Sequence, residues 1–441
     1  MQEEKIELNV EQQGALNIML AGYSVFLTGD PGTGKSTVLK KFINHKQNVD
    51  KEILVCAPTG IAALNVGGTT IHRVAKAPIG PIVNVPNTTN KEIIAADIII
   101  VEEVSMCRLD MFDFLAVKIG LANVQRLKMH KEPIQVIVCG DFFQLSPVLT
   151  DKDRVVLEEY YGSTLGSAFA FQSRFWNQLH FKNILLTKVM RQDDVQFVQA
   201  LRSVKYGNVN SLNFIKRMSS KTFDEEAICL YSTNKKALEQ NMMQYNKLKG
   251  KEKIYSMECE GEVKDSDKAV EDDIFLKVGT RVMAVINAPD LSYTNGSFGY
   301  VTELHDDYVK VKFDNGVVRD VRPYTWEILG YSVKESKNKK KNNKVGSNSN
   351  KELDINVIGT YTQLPLKLGY AITIHKSQGQ TYDKMNLDPY CFTEGQLFVA
   401  LSRCRTLDGI YLTGPLYNNY LKTSQIALQF YSSLTWEKLY N

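Results

Sequence analysis

Short apolar runs, each ending in a glycine, an acidic pair or a small polar cluster, recur along this chain. They are Val25-Phe26-Leu27-Thr28, Ile53-Leu54-Val55-Cys56-Ala57, Ile98-Ile99-Ile100-Val101, Gln135-Val136-Ile137-Val138-Cys139, Asn183-Ile184-Leu185-Leu186 and Ala227-Ile228-Cys229-Leu230-Tyr231. Continuous rather than alternating apolar character over so few residues predicts strands buried on both faces, the habit of parallel sheets. Helical spacing appears in Ala15-Leu16-Asn17-Ile18-Met19-Leu20 and in Val38-Leu39-Lys40-Lys41-Phe42-Ile43, so the pattern is α/β. It changes after Arg281. Arg281–Ile286, Phe298–Thr302 and Tyr308–Phe313 are short strands, and Asp314-Asn315-Gly316 before Val317-Val318 is a hairpin turn, which predicts a small antiparallel β module inserted into a second α/β unit. Leu366 to Ile374 reads as helix-compatible, and Gly409–Thr413 closes as a strand. Residues 77–90 hold Pro78, Gly80, Pro81 and Pro86 without any period and form an irregular excursion.

Composition narrows the class. At about 100–200 residues per domain, a chain of 441 residues should hold two to four cores. Apolar residues at 44% and charged residues at 23% exclude wholesale disorder. A net charge of +4 is too small to announce a polyanion partner, so a nucleic-acid site must be a local groove. Ser336 to Asn350, rich in Lys, Asn and Ser, reads either as a mobile basic loop or as a nucleic-acid contact. The seven cysteines are scattered without a CxxC pair and read as reduced core thiols. The acidic start Met1-Gln2-Glu3-Glu4-Lys5 lacks the features of a signal or transit peptide, and no apolar run approaches the roughly 20 residues that span a bilayer. A cytoplasmic location without membrane contact is the expectation.

Chemistry enters at Gly29-Asp30-Pro31-Gly32-Thr33-Gly34-Lys35-Ser36-Thr37, placed between the first strand and the second helix. Here Gly29, Gly32, Thr33, Gly34 and Thr37 shape a backbone cradle for a polyphosphate. Lys35 reaches the outer phosphates, and the Ser36 hydroxyl holds magnesium at the helix N-terminus, so ATP and Mg2+ are the expected cofactors. Upstream, the Gln12 carboxamide has the donor and acceptor that read an adenine edge. Glu102-Glu103 at the tip of the third strand is either a magnesium- and water-organising pair or a solvated acidic turn. Gln144, in Gly140-Asp141-Phe142-Phe143-Gln144-Leu145, falls at the γ-phosphate edge, and Arg191 is within reach of a transferring phosphoryl group or lies on the surface. Gly67-Gly68-Thr69-Thr70-Ile71-His72 suits phosphates but is also an ordinary βα loop. His375 has no second ligand at metal spacing.

Four ordered segments carry a resemblance over nearly the whole chain: Ala57-Pro58-Thr59-Gly60-Ile61-Ala62-Ala63, Gly140 to Leu145, His375-Lys376-Ser377-Gln378-Gly379, and Val399-Ala400-Leu401-Ser402-Arg403-Cys404-Arg405. Together they resemble superfamily 1 DNA helicases of the Pif-type branch, related to the RecD and phage Dda enzymes. The resemblance implies two RecA-like P-loop NTPase domains with a small wedge insertion and an SH3-like β insertion. The first domain would cover 1–192, with the wedge at about 74–90. The second would cover 193–275 and 356–441, and the β insertion 276–355, with a basic loop at about 334–354. The resemblance makes Glu102 a magnesium ligand beside Ser36, Glu103 the carboxylate that positions water, Gln144 a γ-phosphate sensor, and Arg191 and Arg403 the arginines that stabilise developing charge; Gly379 joins the nucleotide site. DNA contacts would be Thr59, His72, Asn295, Thr373, His375 and Lys376.

The activity implied is ATP-dependent 5′-to-3′ translocation on single-stranded DNA with unwinding of forked or tailed duplexes, in replication, repair, recombination or telomere maintenance. Related enzymes often work as monomers, so a monomer is the expectation, and G-quadruplex DNA is a further candidate substrate. Two departures stand out. The family's Asp-Glu strand tip is Glu102-Glu103 here, which is expected to slow but not abolish hydrolysis. The excursion contains no aromatic residue, leaving Ile79, Ile82, Val83 or the prolines to part bases sterically. These departures motivate the alternative, an ATP-gated DNA-binding or protein-displacing translocase without efficient unwinding. A small-molecule P-loop kinase leaves His375 and Arg403 unexplained.

Overall fold

The computed structural model describes residues 7–59, 62–63, 67–84, 87–192, 194–219, 223–263, 268–334 and 352–439. The expectations for Met1–Lys5, Gly60-Ile61, Leu64, Pro86 and the basic segment Ser336–Asn350 lie outside them. The chain divides into two compact units, one formed by Met1–Ala237 with Ile372–Asn441 and the other by Leu238–Ala371. No helix among the described residues is long and apolar enough to cross a membrane.

The first unit contains two α/β halves. Its larger sheet is built from β1 (Val25–Gly29), β2 (Ile53–Ala57), β3 (Thr69–Thr70), β4 (Ile98–Val101), β5 (Gln135–Cys139) and β6 (Lys182–Leu186), in the order β3-β2-β4-β5-β1-β6. Every pairing is parallel. The central strands β1, β4 and β5 are buried along their whole length, which is why their sequences run apolar without alternation. Because β4, β5 and β1 are neighbours, the loops leaving their carboxyl ends stand side by side. Those loops carry Glu102-Glu103, Gly140–Gln144 and the phosphate loop, and this is where open α/β sheets place ligands.

The smaller sheet comprises β7 (Ile228–Tyr231), β8 (Ala371–Thr373), β9 (Met385–Leu387) and β10 (Ile410–Leu412), in the order β8-β7-β9-β10. The helix Gln425–Ser433 then returns to the larger sheet. Phe430 stacks on Phe171 at 4.0 Å and joins Phe26, Phe142 and Trp176 in one aromatic cluster, while the Tyr431 hydroxyl lies 2.7 Å from Thr28 Oγ1. The last segment of sequence therefore completes the core under the first strand.

The second unit is antiparallel β. Arg281–Ala284, Phe298–Leu304, Val309–Phe313 and Val318–Val321 pair in succession, with Gly316 at φ 83° in the predicted hairpin turn. Only glycine adopts that backbone region freely. The unit extends beyond this module on both sides, taking in Lys253–Ser256 paired with Asp273–Leu276 and Tyr324–Lys334 paired with Glu352–Gln363.

Two expectations are corrected. Leu366 to Ile374 is not helical: Leu366–Leu368 pairs antiparallel with Arg281–Ala284, and Ala371–Thr373 enters the smaller sheet. Pro365 and Gly369 bracket a segment too short for a helix, and at Gly369 a side chain would press on the Val282 backbone. The cysteines are all free, but Cys259 is exposed whereas the other six are buried.

Candidate active site

The helix Lys35–Ile43 starts directly after β1, with Gly34 at φ 81° as its N-terminal residue. A side chain at Gly34 would collide with Gln12 Nε2. That close approach follows from the helix Val10–Leu20, where Asn9 and Gln12 form a reciprocal cap. Asn9 N donates to Gln12 Oε1 and Gln12 N to Asn9 Oδ1, both at 3.0 Å. Gln12 Nε2 donates to Thr33 O at 3.0 Å, so the glutamine braces the phosphate loop as well as bordering it. Lys35 Nζ donates to Gly29 O at 2.8 Å and Asp30 O at 3.2 Å.

A cavity of about 460 Å³ opens over this loop. Gly32, Gly34, Lys35, Ser36 and Thr37 line it from the loop, Glu102 and Glu103 from the end of β4, and Gln144 from beyond β5. Arg191 enters after β6, and Gly379 and Arg403 come from the second α/β half. Residues more than 350 positions apart in sequence thus share one site. Gly29 and Thr33 lie in the same loop, with Thr33 buried and its Oγ1 donating to Asp30 O at 2.9 Å.

Ser36 Oγ donates to Glu102 Oε1 at 2.6 Å, so the longer side chain at this strand tip is accommodated. Oε2 is buried without a hydrogen-bond partner of normal geometry among the described residues, the Cys139 thiol being its neighbour. Burial and the adjacent Glu103 push the Glu102 carboxyl up to about 7, against the Ser36 hydrogen bond and the Lys35 charge. A buried carboxylate with one unsatisfied oxygen next to a serine hydroxyl is a hard-oxygen donor set, and it fits magnesium brought in with a nucleotide. Glu103 follows in the left-handed region at φ 51°, and its Oε2 accepts from Gln378 Nε2 at 3.1 Å. Gln378 is a site residue that the sequence marked only as part of a motif.

Arg403 is buried and held by Val399 O at 2.9 Å through Nε and by Ser402 Oγ at 2.9 Å through Nη2. Burial, and then the charge of Arg191, lower its guanidinium to about 9. Arg191 is lowered by burial and by Arg405, with Glu103 opposing. Two desolvated guanidiniums with no carboxylate ion pair among the described residues, in a cavity with a phosphate loop, are suited to charge that develops on a phosphoryl group. Gln192, behind them, donates to Cys404 O at 3.1 Å. At Gly395, N-terminal to the helix Gln396–Leu401, a side chain would run into the Phe143 and Gln144 carbonyls, so the helix that precedes Arg403 closes directly on the glutamine loop.

The residues expected at DNA are more dispersed. Thr59 follows β2 and its Oγ1 accepts from Ala62 N at 3.3 Å. His72 is half-buried on the helix Ile71–Ala75; burial and Arg108 lower its imidazole while Asp110 opposes. Thr373 is buried and its Oγ1 accepts from the backbone N of the exposed Lys376 at 3.4 Å, while burial lowers His375. Asn295 belongs to the second unit, its N–H donating to Asn287 Oδ1 at 2.8 Å. In the excursion, Ile79 is 88% exposed, Val83 packs against a buried cluster and Ile82 is buried, which removes Ile82 from the side chains free to meet a base. Arg108 Nη2 donates to Gly80 O and Ile82 N to Asp110 Oδ2, both at 2.8 Å, anchoring the segment on either side of Pro81.

Comparison with known proteins follows the same lines. Residues 7–215 match the model of the PIF1-like helicase family. The chain is 28% identical to ATP-dependent DNA helicase Pif1 of Campylobacter jejuni, over 94% of this chain and 96% of that protein. It is 29% identical to ATP-dependent DNA helicase PIF1 of Danio rerio, covering 98% of this chain and 65% of the relative. The solved structure of Pif1 helicase from Bacteroides, in complex with ADP-AlF3 and single-stranded DNA, superposes with a TM-score of 0.75 at 30% identity, covering 97% of each chain. With both halves of the cavity matched in sequence and in fold, the two α/β halves are RecA-like domains, and this chain belongs to the PIF1-like helicase family.

Proposed function

We propose that this protein is an ATP-dependent DNA helicase that moves 5′-to-3′ on single-stranded DNA and opens forked or tailed duplexes. The observation that carries the reading is the cavity in which Lys35, Ser36, Glu102, Glu103 and Gln144 of one RecA-like domain face Arg403 of the other. Hydrolysis then requires the two domains to close on the nucleotide, and reopening after it moves the DNA grips past one another. In this reading Gln12 borders the adenine and Lys35 binds the outer phosphates. Glu103, oriented by Gln378, positions and deprotonates the attacking water. Gln144 senses the γ-phosphate, and Arg191 and Arg403 stabilise its developing charge. Magnesium, held by Ser36 and Glu102, would supply charge neutralisation on the phosphates.

Thr59, His72, Asn295, Thr373, His375 and Lys376 are the proposed strand contacts, and backbone contacts of this kind grip DNA without sequence preference. Ile79, exposed on an anchored segment, is the proposed strand-parting residue. We assign the domains as two RecA-like units with the β unit inserted in the second. G-quadruplex DNA as a further substrate, action as a monomer and a cytoplasmic location complete the proposal.

The test is unwinding of a forked duplex with a 5′ tail beside one with a 3′ tail, with Lys35→Ala as control. Opening only from the 5′ tail, lost in the variant, establishes activity and polarity together. DNA-stimulated hydrolysis without opening from either tail favours a gripping translocase, the reading that the aliphatic rather than aromatic side chain at position 79 keeps in view.

A further inference from the structure

Two of the motif loops meet in a buried polar knot around a lysine that no motif contains. Lys205, the last residue of the helix Val195–Lys205, is 3% exposed. Its Nζ stands 2.9 Å from Asp30 Oδ1 and 3.1 Å from Asp141 Oδ2. Asp30 belongs to the phosphate loop, where its carbonyl accepts from Thr33 Oγ1 and Lys35 Nζ. Asp141 opens the loop that carries Gln144: its carbonyl accepts from Gln144 N at 2.9 Å and its Oδ1 from Phe143 N at 3.1 Å. One ammonium therefore joins the loop that holds the β- and γ-phosphates to the loop that senses the γ-phosphate.

The knot is closed around this contact. Arg202 Nε donates to Asp30 Oδ2 at 2.8 Å, and Tyr431 lies 3.3 Å from Asp141 Oδ1. The Phe143 ring covers Lys205 Nζ at 4.9 Å. The buried Lys205 offsets one of the two carboxylates, and the part-exposed Arg202 offsets the second from the rim. The segment leading into this helix begins at Arg191 and Gln192, both of which donate to the carbonyl of Ser402 next to Arg403. One stretch of chain thus touches the arginine pair at its start and the two nucleotide loops at its end.

We propose that Lys205 is a positioning residue for ATP hydrolysis, which fixes Gln144 relative to the phosphate loop by bridging Asp30 and Asp141. The inference rests on the ATPase reading above. Gln144 acts on the γ-phosphate during transfer, whereas the phosphate loop also binds the ground state. Loss of the bridge therefore lowers kcat more than it weakens ATP binding.

Steady-state ATP hydrolysis with saturating single-stranded DNA tests it, on Lys205→Met, Lys205→Arg and Asp30→Asn, each with its melting temperature. Lys205→Met is expected to lose roughly tenfold or more in kcat, with KM for ATP changed by less than about threefold. Lys205→Arg, which keeps the charge, is expected to recover most of that loss. If Lys205→Met does not fold, Asp30→Asn decides, because it leaves Lys205 paired with Asp141; it should lose about threefold or more in kcat at nearly unchanged KM. The inference is overturned if the folded Met variant keeps kcat within about twofold of the unaltered protein, or if the Arg variant is folded yet as slow as the Met variant. It is equally overturned if Asp30→Asn leaves kcat untouched. Absence of DNA-stimulated hydrolysis in the unaltered protein would instead remove the ATPase reading itself.

Discussion

At the scale of single residues, the site works by placing charges where water cannot reach them. Arg403 is the clearest case: a buried guanidinium held by Val399 O, Gln380 O and Ser402 Oγ, without a carboxylate ion pair among the described residues and with Glu103 acting on it only at longer range, is costly until a polyanion arrives. Arg403→Ala should lower kcat for ATP hydrolysis by roughly 10³ while changing nucleotide affinity little, measurable by single-turnover hydrolysis beside fluorescent-nucleotide binding. Glu102 adds a pH signature. With its carboxyl pushed up to about 7, it is largely protonated at pH 6, and a magnesium–nucleotide complex must expel that proton to bind. Affinity for magnesium–ADP should therefore fall as pH drops below 7, by at most about tenfold per unit, and this dependence should disappear in Glu102→Gln. A flat affinity profile from pH 8 to 6 in the unaltered protein would count against a magnesium role for Glu102. The strand, glycine loop and helix around Lys35 were legible in the sequence because glycine spacing dictates them. Lys205 and Gln378 were not, since a lysine on an amphipathic helix and a glutamine inside a motif declare a partner only when another loop arrives beside them.

At the scale of elements, residues 77–84 show how an irregular segment is braced without hydrogen-bonded regularity. Two of its backbone groups, Gly80 O and Ile82 N, are satisfied by Arg108 and Asp110 at the start of the helix Leu109–Lys128, and Arg108 also meets Asp153 at 3.0 Å. Ile79 is left at an exposed position on a braced segment. Ile79→Gly should slow unwinding of a forked duplex several-fold, yet leave ATP hydrolysis on single strands unchanged; equal loss of both would remove its strand-parting role. Arg108→Ala strands the buried Asp110 carboxylate and should cost about 3 kcal/mol in urea unfolding, with unwinding lost at least as strongly as in Ile79→Gly. Over the described residues 77–84 and 87–90 the chain is irregular, as its prolines and lack of period predict. The sequence did not separate Ile79 from Ile82, because burial at 3% against 88% is decided by which side chain the neighbouring helix covers. Leu366–Ile374 failed for the related reason that strand pairing with a distant segment overrode a local apolar pattern.

Over the whole molecule, titration of buried groups sets the acid limit. His72 and His375 have imidazoles lowered in the fold, so the unfolded chain binds more protons below the ordinary histidine range and stability falls as pH drops through about 6.5. Asp30 and Asp97 behave as a second stage. Burial raises them, but Lys205 and Arg202 at Asp30, and Arg126 at Asp97, outweigh it, and both stay below the usual carboxylate range. Their contribution is complete above about pH 4 and lost below it. Glu102, raised to about 7 by the fold, acts in the opposite sense and adds stability as pH falls from about 7 towards 4.5, so the histidine stage is read as a difference. The urea midpoint of the unaltered protein relative to the His72→Gln/His375→Gln double variant should drop as pH falls through about 6.5, and both should decline below about pH 4; a difference that stays constant from about pH 8 to 5 would show the histidines to be uncoupled from folding. What the sequence determined by itself was local: buried strands from continuous apolar runs, the phosphate loop from glycine spacing, the inserted β module from alternation and its Asp-Asn-Gly turn. That Arg403 and Gly379 share a cavity with Lys35 was expected only through the family resemblance, not from any local pattern, and tertiary structure alone decided that the C-terminal aromatics close the core under β1 and that Lys205 bridges two loops. Those contacts join segments far apart in the chain, and burial and electrostatics act through space, so no local pattern of residues encodes them.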